Sequence, residues 1–408
     1  MLTLTGPFTQ LLTLDGLPLR GPIQDDQLQV INQGGICHQD GKILAIGRFD
    51  DLEKQYATAE IDPIGINHVC LPGFIDAHTH LCWDGTRAQD YADRNAGKTY
   101  LEIAAEGGGI WRSVRDSRLA SRPQLIRRMY DRANTLLNNG VTTVEIKTGY
   151  GLSLESELRM LQAIEDLRKS HAIGVVSTCL AAHLCPRDFD GAPEAYLQYI
   201  LDELVPAIEA QRLTRRFDIF VEQTAFTPEQ ALPFLQALRA RGFDLTVHGD
   251  QFTTGGSAVA IAAKALSVDH LEASGASEIA ALVQSSVIPV VLPGASLGLG
   301  MNFAPARKLL NAGCSLAIAS DWNPGSAPQG DLLMQAAVLG AFEKLTNAEV
   351  LAGITIRAAA ALGIAAQKGS LAIGKAADFI TFACPDYREI TYQQGALKPD
   401  RTWKLSPN

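Results

Sequence analysis

Eight short hydrophobic runs recur through the middle of the chain, and helical patterns separate them. Most of the runs are rich in β-branched residues and end in a polar residue; they span 73–80, 142–147, 175–183, 218–223, 244–250, 266–271, 288–294 and 315–321. Buried parallel strands have this nearly continuous apolar character. The pattern predicts an α/β fold, a (β/α)8 TIM-like barrel. A doubly wound open sheet is the alternative, but it would keep the first and eighth strands apart.

The segments between the runs carry signals for the start and end of helices. After the fourth run, Thr227 can cap a helix, with Pro228 at its first position and Gln230 completing a capping box. Gly242 is a typical residue for the end of that helix. Ser153 caps another helix after the second run. These signals support helices between the predicted strands.

The two ends of the chain have a different pattern. The segment ICHQDGKILAIG reads as a hairpin, with Asp40-Gly41 at its turn, and residues 369–382 form another short β pattern. Each end is too short to bury a core alone. We expect residues 1–70 and 368–408 to form one composite β-sandwich domain, and residues 71–367 to form the barrel.

Composition narrows the classes of function. The chain has 408 residues, 47% of them hydrophobic, and a net charge of −9, which argues against nucleic acid or an anionic membrane as the main partner. No stretch of about 18 apolar residues predicts a membrane span, and the N-terminus does not resemble a signal peptide. The seven cysteines form no CxxC pair. An odd, scattered set of thiols suits a reducing compartment, so we expect a cytoplasmic protein.

Polar residues at the ends of the eight runs are candidates for chemistry, because the active site of such a barrel lies at the C-terminal strand ends. They are His78, His80, Lys147, His183, Glu222, His248, His270 and Asp321. His78 and His80 form an HxH pair, and residues i and i+2 of a strand point to the same side. Both imidazoles can therefore reach one ion, and imidazole suits zinc and iron.

These motifs resemble the metal-dependent amidohydrolase superfamily, and longer stretches are similar to its imidazolonepropionase family. Those stretches are AEGGGIWRSVR (105–115), VEIKTGYGLSLESELRML (144–161), AAHLCP (181–186), VHGDQF (247–252), SVDHLE (267–272) and FAPARKLLNAGCSLAIASDWNPGSAP (303–328). The resemblance covers essentially the whole chain. It implies hydrolysis of the cyclic amide of 4-imidazolone-5-propionate to N-formimino-L-glutamate, in histidine degradation.

The resemblance also implies roles at the metal centre. His78, His80, His248 and Asp321 would hold one divalent metal, zinc or iron, and leave a position for water. Asp321 would move the proton of that water to the departing nitrogen. His270 would polarise the carbonyl group and stabilise the oxyanion.

An anionic heterocyclic substrate needs further contacts. Arg87 matches a carboxylate-binding arginine of the family, and a guanidinium group can bind a carboxylate through two hydrogen bonds. The other substrate-binding residues that the resemblance implies are Tyr150, His183, Gln251, Asn323, Gly325 and Ser326, with Tyr100 packing on the ring. A homodimer is expected, as in many such barrels.

Some positions depart from the family pattern. Gln251 stands where many amidohydrolases carry Glu, and glutamine can orient water or substrate but cannot transfer a proton. Gln251 is therefore assigned here to orientation at the catalytic centre. Glu222 stands where relatives with two metals place a bridging Lys or Glu; without lysine there, one ion is favoured, with Glu222 hydrogen-bonded nearby. A related cyclic amidohydrolase or deaminase for another small heterocycle is the alternative, and a non-catalytic assembly protein is a third hypothesis.

Overall fold

The computed structural model describes residues 1–99, 102–103 and 106–407. Its centre is a ring of eight parallel strands that follow one another in chain order. The strands are β6 (Phe74–Asp76), β7 (Val141–Lys147), β8 (Gly174–Ala182), β9 (Arg216–Val221), β10 (Asp244–Gly249), β11 (Ser267–His270), β12 (Ile288–Val291) and β13 (Ala317–Ile318). Each of the eight predicted runs overlaps one of these strands, and three strands (β7, β8 and β9) begin one or two residues before the run.

The first and last strands meet through the segments that follow them. The backbone N–H of Asp321 donates to the carbonyl of His78 at 3.0 Å, and the N–H of His80 donates to the carbonyl of Trp322 at 2.9 Å. These hydrogen bonds close the ring, which an open doubly wound sheet would not allow. The predicted barrel is confirmed.

Helices connect the strands and cover the outside of the barrel. The helices of the described residues are α1 (Phe49–Gln55), α2 (Ala88–Asn95), α3 (Ile110–Leu119), α4 (Arg122–Asn138), α5 (Leu154–Ser170), α6 (Pro193–Tyr199), α7 (Val205–Gln211), α8 (Pro228–Ala240), α9 (Gly256–Ala263), α10 (Ala276–Val283), α11 (Pro293–Leu299), α12 (Ala306–Ala312), α13 (Leu332–Glu343), α14 (Asn347–Gly353), α15 (Ile356–Ala361) and α16 (Arg388–Tyr392), with a 3-10 turn at Asp25–Gln27 and a π-helical turn at Ile200–Leu204. No helix in this part of the chain is both long enough and apolar enough to cross a bilayer.

Two predicted helix starts are confirmed. The Thr227 hydroxyl accepts the N–H of Gln230 at 3.4 Å, and the Gln230 side chain accepts the N–H of Thr227 at 2.9 Å. Ser153 accepts the N–H of Ser156 at the start of α5. Helix α5 buries Leu161 and other apolar side chains, and full burial of a leucine stabilises a fold by about 1.5–3 kcal/mol.

Strands from both ends of the chain form a second, mixed sheet of seven strands. These are β1 (Leu2–Leu12), β2 (Val30–Gln39), β3 (Lys42–Arg48), β4 (Glu60–Pro63), β5 (Val69–Pro72), β14 (Asp378–Phe382) and β15 (Arg401–Lys404). The Asp40-Gly41 turn joins β2 to β3, with φ of 49° and 74°. The C-terminal strand β14 pairs with β5, so the two ends pair as expected. The domain boundaries at residues 70 and 368 stay a prediction.

Candidate active site

The two histidines of the HxH segment directly follow β6. Thr79, between them, forms a parallel bridge with Trp322, and its hydroxyl donates to the carbonyl of Glu145 at 2.6 Å. This pairing keeps the segment extended, so His78 and His80 share a side. Their ring centroids are 5.3 Å apart.

His248 at the end of β10 and Asp321 just beyond β13 complete the cluster. Nε2 of His248 lies 3.3 Å from Nε2 of His80. Oδ1 of Asp321 lies 3.4 Å from Nε2 of His80 and 3.6 Å from Nε2 of His78. All four side chains are buried. The structure thus brings the four predicted ligand residues together from three strand ends.

These separations suit one shared metal ion. Ligand atoms held tetrahedrally at about 2.0–2.1 Å from zinc are about 3.3–3.4 Å apart. Nε2 of His78 is buried without a hydrogen-bond partner, which is costly unless another group satisfies its lone pair. The three histidines form the group that could hold an ion among the described residues. Imidazole and carboxylate together fit a divalent ion such as zinc or iron.

Burial keeps these imidazoles neutral. Burial and the charge of Lys147 lower the pKa of His80 to about 3 and hold the pKa of His78 well below its ordinary value. Burial also lowers the pKa of His248, although Asp218 opposes that effect. A neutral imidazole has the free lone pair that a metal requires.

Two buried carboxylates hold the far nitrogens of these rings. Oδ2 of Asp269 lies 2.7 Å from Nδ1 of His78, and Oδ2 of Asp218 lies 2.8 Å from Nδ1 of His248. Asp218 also accepts the backbone N–H of His248 at 3.2 Å. Such contacts orient a ligand ring and direct its Nε2 at the ion.

His270, at the end of β11, stands beside the cluster. Its ring centroid is 5.3 Å from that of His248, and its Nδ1 is 3.5 Å from the Glu272 carboxylate. Burial alone would lower the pKa of His270, but the carboxylates of Glu272, Asp321 and Asp269 raise it above its ordinary value. Its φ of +94° is sparsely populated, and such strain often marks functional positions.

A cavity of about 670 Å³ opens onto this cluster. His80, His248, His270 and Asp321 line it. Six of the predicted substrate-binding residues also line it: Arg87, Tyr150, His183, Gln251, Asn323 and Ser326. Tyr100 lies outside the described residues.

Arg87 is fixed from two sides. Its Nε donates to Oδ2 of Asp90 at 2.8 Å, and the same oxygen accepts the N–H of Gly109 at 2.8 Å. On the other side, Gly325 lies against the guanidinium group, where a side chain at this position would clash with Nη1. Asp90 therefore links the arginine to the glycine-rich segment that begins α3.

Tyr150 and His183 form an aromatic wall beside His80. The rings of His80 and His183 stack with centroids 5.5 Å apart and planes at 22°. The Tyr150 ring centroid is 5.8 Å from that of His80. Burial and the charge of Asp321 raise the pKa of Tyr150, so its hydroxyl stays protonated as a hydrogen-bond donor at neutral pH.

The loop after Asp321 is organised around Asn323. The Asn323 side-chain oxygen accepts the N–H groups of Gly325 at 2.7 Å and Ser326 at 2.9 Å. Its Nδ2 donates to the carbonyl of Asp321 at 2.7 Å. These backbone donors therefore bind within the loop, and contact of Asn323, Gly325 and Ser326 with a substrate stays a prediction.

Glu222 holds the loop that carries Gln251. Its Oε2 accepts the N–H groups of Phe252 and Thr253, each at 3.0 Å, and its Oε1 accepts the N–H of Gln223 at 2.9 Å and the Thr253 hydroxyl. The Glu222 carboxylate therefore accepts four hydrogen bonds that hold this loop in place. This agrees with a Glu222 that is hydrogen-bonded nearby and does not bridge two ions.

Sequence reasoning missed several residues of the site. Arg94 lines the cavity beside Arg87, and Asp90, Asp218 and Glu272 position other side chains. Asp218 carried a usable signal, because it is a charge within an apolar strand run and a buried charge requires a partner. The others lie on loops or helices and gave no comparable signal.

Comparisons with known proteins give relatives along the whole chain. A model described as the amidohydrolase family matches residues 69–405. The chain is 40% identical over 395 residues to an imidazolonepropionase of Herpetosiphon aurantiacus, covering 95% of this chain and 92% of the relative. It is 39% identical over 394 residues to an imidazolonepropionase of Symbiobacterium thermophilum, with coverage of 95% and 92%. The fold is similar to that of a mutant atrazine chlorohydrolase of Arthrobacter aurescens, solved as a complex with zinc and atraton. The TM-score is 0.71 at 18% sequence identity, and the match covers 99% of this chain and 94% of that chain.

Proposed function

Because the chain belongs to the amidohydrolase family and, within it, to the imidazolonepropionases, we propose that it hydrolyses 4-imidazolone-5-propionate to N-formimino-L-glutamate. This reaction is a step of histidine degradation. The observation that carries the proposal is that one cavity is lined by the guanidinium group of Arg87 and by three of the four candidate ligands, His80, His248 and Asp321. The guanidinium group suits the anionic tail of the substrate, and a metal held by the candidate ligands would suit its ring carbonyl.

The chain's own residues would bind and orient the substrate. Arg87, whose Nε donates to Asp90, binds the propionate carboxylate through its Nη groups. Tyr150 and His183 contact the planar ring and place its carbonyl carbon near Asp321. Gln251 orients the ring through its carboxamide. Contacts of Asn323, Gly325 and Ser326 with the substrate and packing of Tyr100 on the ring are further parts of the proposal.

The reaction breaks the ring C–N bond next to the carbonyl. His78, His80, His248 and Asp321 would hold a divalent metal, whose Lewis acidity would lower the pKa of water from about 15.7 toward about 7. Asp321 accepts the proton of the attacking water as its oxygen adds to the carbonyl carbon. His270 donates a hydrogen bond to the oxygen that becomes negative. When the C–N bond breaks, the proton on Asp321 passes to the leaving nitrogen, and the new carboxylate is released.

Other features support the remaining parts of the proposal. One zinc or iron ion is proposed, and the engagement of Glu222 with its own loop supports a single ion. The seven cysteines are all free, which supports action in a reducing compartment such as the cytoplasm. A homodimer stays a prediction.

An assay with defined metal content tests the function. Purified protein loaded with one equivalent of zinc or iron should remove the ultraviolet absorbance of freshly made imidazolone propionate and release N-formimino-glutamate. No turnover by the fully loaded protein would reject the proposal. Ammonia release from a panel of purines and pyrimidines would favour a deaminase in its place.

A further inference from the structure

Lys147 ends β7 with its ammonium group enclosed in the barrel. Its Nζ lies 2.8 Å from Oε1 of Glu145, 2.8 Å from Oδ2 of Asp218 and 3.7 Å from Oδ2 of Asp269. No more than 1% of any of these four side chains is exposed. Lys147 is not among the residues that line the cavity, so a role in contacting substrate does not explain it.

Two of these three carboxylates are the ones that hold the candidate ligand rings. The oxygen of Asp218 that lies 2.8 Å from Lys147 also lies 2.8 Å from Nδ1 of His248. The oxygen of Asp269 nearest to Lys147 lies 2.7 Å from Nδ1 of His78. One ammonium group therefore contacts both of the carboxylates that orient the rings.

The three buried carboxylates of Glu145, Asp218 and Asp269 require a positive charge between them. Carboxylates buried side by side repel each other, and burial without a counter-charge costs several kcal/mol per ion. Arg216 lies 3.9 Å from Glu145, so Glu145 has a second cation near it. Among the described residues, Lys147 is the Lys or Arg that forms ion pairs with Asp218 and Asp269.

We propose that Lys147 is a positioning residue of the metal centre: its ammonium group fixes the Asp218 and Asp269 carboxylates, and through them the His248 and His78 rings. The Asp269 carboxylate is hydrogen-bonded to Nδ1 of His78, and the Asp218 carboxylate lies 2.8 Å from Nδ1 of His248. Each ring therefore keeps its Nε2 for the same point. Lys147 thereby sets metal affinity without touching metal or substrate. This inference rests on the metal centre of the proposed function.

The test compares K147M with a matched lysine. Lys368 contacts the same strand, where its Nζ donates to the Thr143 hydroxyl at 3.0 Å and to Asp378 at 3.1 Å. The zinc dissociation constant of each variant is measured by chelator competition, together with the visible spectrum of the cobalt-substituted protein. K147M should bind zinc about 10–100-fold more weakly, because mutation of residues that support metal ligands typically lowers metal affinity by this factor. Its cobalt spectrum should also change. K368M should keep the wild-type affinity and spectrum.

A double-mutant cycle separates positioning from general stability. D218N alone should weaken zinc binding, and D218N/K147M should be weakened less than the sum of the two single effects, because both act through one carboxylate. Additive effects would overturn the proposal. A folded K147M with wild-type affinity and cobalt spectrum would also overturn it.

Two further outcomes, a K147M variant that does not fold and wild-type protein that binds no zinc, also decide the role of Lys147. If K147M does not fold, E145Q/K147M removes one positive and one negative charge together and carries the same measurement. Failure of both variants to fold would assign Lys147 to folding alone and overturn the inference. Wild-type protein that binds no zinc would reject the metal centre of the proposed function itself, whereas tight zinc binding by both wild type and folded K147M would reject only the role of Lys147.

Discussion

A β-carbon added to Gly325 would lie 2.2 Å from Nη1 of Arg87. This distance is far inside van der Waals contact, so the guanidinium group occupies its place only because residue 325 has no side chain. On its other side, Arg87 donates to Asp90. This cavity-lining arginine is thus held between the carboxylate of Asp90 and the backbone of Gly325.

Replacement of Gly325 by alanine should displace Arg87 and weaken substrate binding. We expect KM for imidazolone propionate to rise about tenfold or more, which corresponds to about 1.4 kcal/mol, while zinc content stays unchanged. G47A is a suitable control, because a β-carbon at Gly47 would have its nearest neighbours at ordinary contact distances of 3.9–4.0 Å in the small sheet. Unchanged KM in G325A would contradict the contact.

R87A should remove the anchor of the propionate group. Loss of a charged hydrogen-bonding partner costs about 1.5–3 kcal/mol, so kcat/KM should fall about 10–200-fold, chiefly through KM, if Arg87 binds substrate and transition state equally. Steady-state kinetics check this, with R128A as control, because the partly exposed Arg128 pairs with Asp84 outside the cavity. A fall in kcat with unchanged KM would rule out this assignment.

H248A should lose the metal and the activity while the barrel remains folded. His248 provides one of the three imidazoles of the cluster, and the two remaining imidazoles with Asp321 bind a metal more weakly. Metal analysis after gel filtration, together with circular dichroism, tests this. H171A is the matched control, since His171 follows α5 and its Nε2 contacts Asn134 away from the cavity. Stoichiometric zinc in H248A would contradict the ligand assignment.

The burial of His183 as a neutral ring predicts a pH effect on stability. Burial holds the pKa of His183 well below its ordinary value, so below pH about 6.5 the unfolded chain binds a proton that the folded protein does not. The contribution to the free energy of unfolding is therefore present above pH 6.5 and decreases as the pH falls, by at most about 1.4 kcal/mol per unit.

Urea unfolding of metal-free protein in chelator measures this effect as a difference between two proteins. The unfolding free energy of wild type minus that of H183A should become smaller from pH 7.5 to pH 5.5. The subtraction removes the titration of the other buried groups, several of which act in the opposite direction. A difference that is constant or grows at lower pH would show that His183 accepts a proton in the folded state.

Hydrophobic patterning was enough to predict the barrel, because a parallel strand buried on both faces leaves a distinct apolar run. Polar residues at the ends of those runs gave the candidate ligands, since the topology gathers all C-terminal strand ends on one face. His78, His248 and Asp321 meet there although the sequence separates them widely.

The details that depend on side-chain direction were not predictable in the same way. Asp269 is next to His270 in the sequence, but its carboxylate contacts His78 at the end of a distant strand. Asn323 lines the cavity, and its side-chain oxygen also accepts two N–H groups of its own loop, which the sequence did not indicate. Strand alternation fixes which face a residue occupies, whereas these contacts depend on rotamers and loop paths that periodicity does not encode.

The closure of the ring between His78–His80 and Asp321–Trp322 also bears on biosynthesis. The two segments that close the barrel are more than two hundred residues apart in the sequence and are therefore synthesised at different times. A nascent chain that ends before residue 321 lacks both the last proposed ligand and the hydrogen bonds that close the barrel. On the proposed set of ligands, a divalent ion therefore lacks its complete coordination sphere until Asp321 has emerged. Full coordination of the ion would then accompany the closure of the barrel.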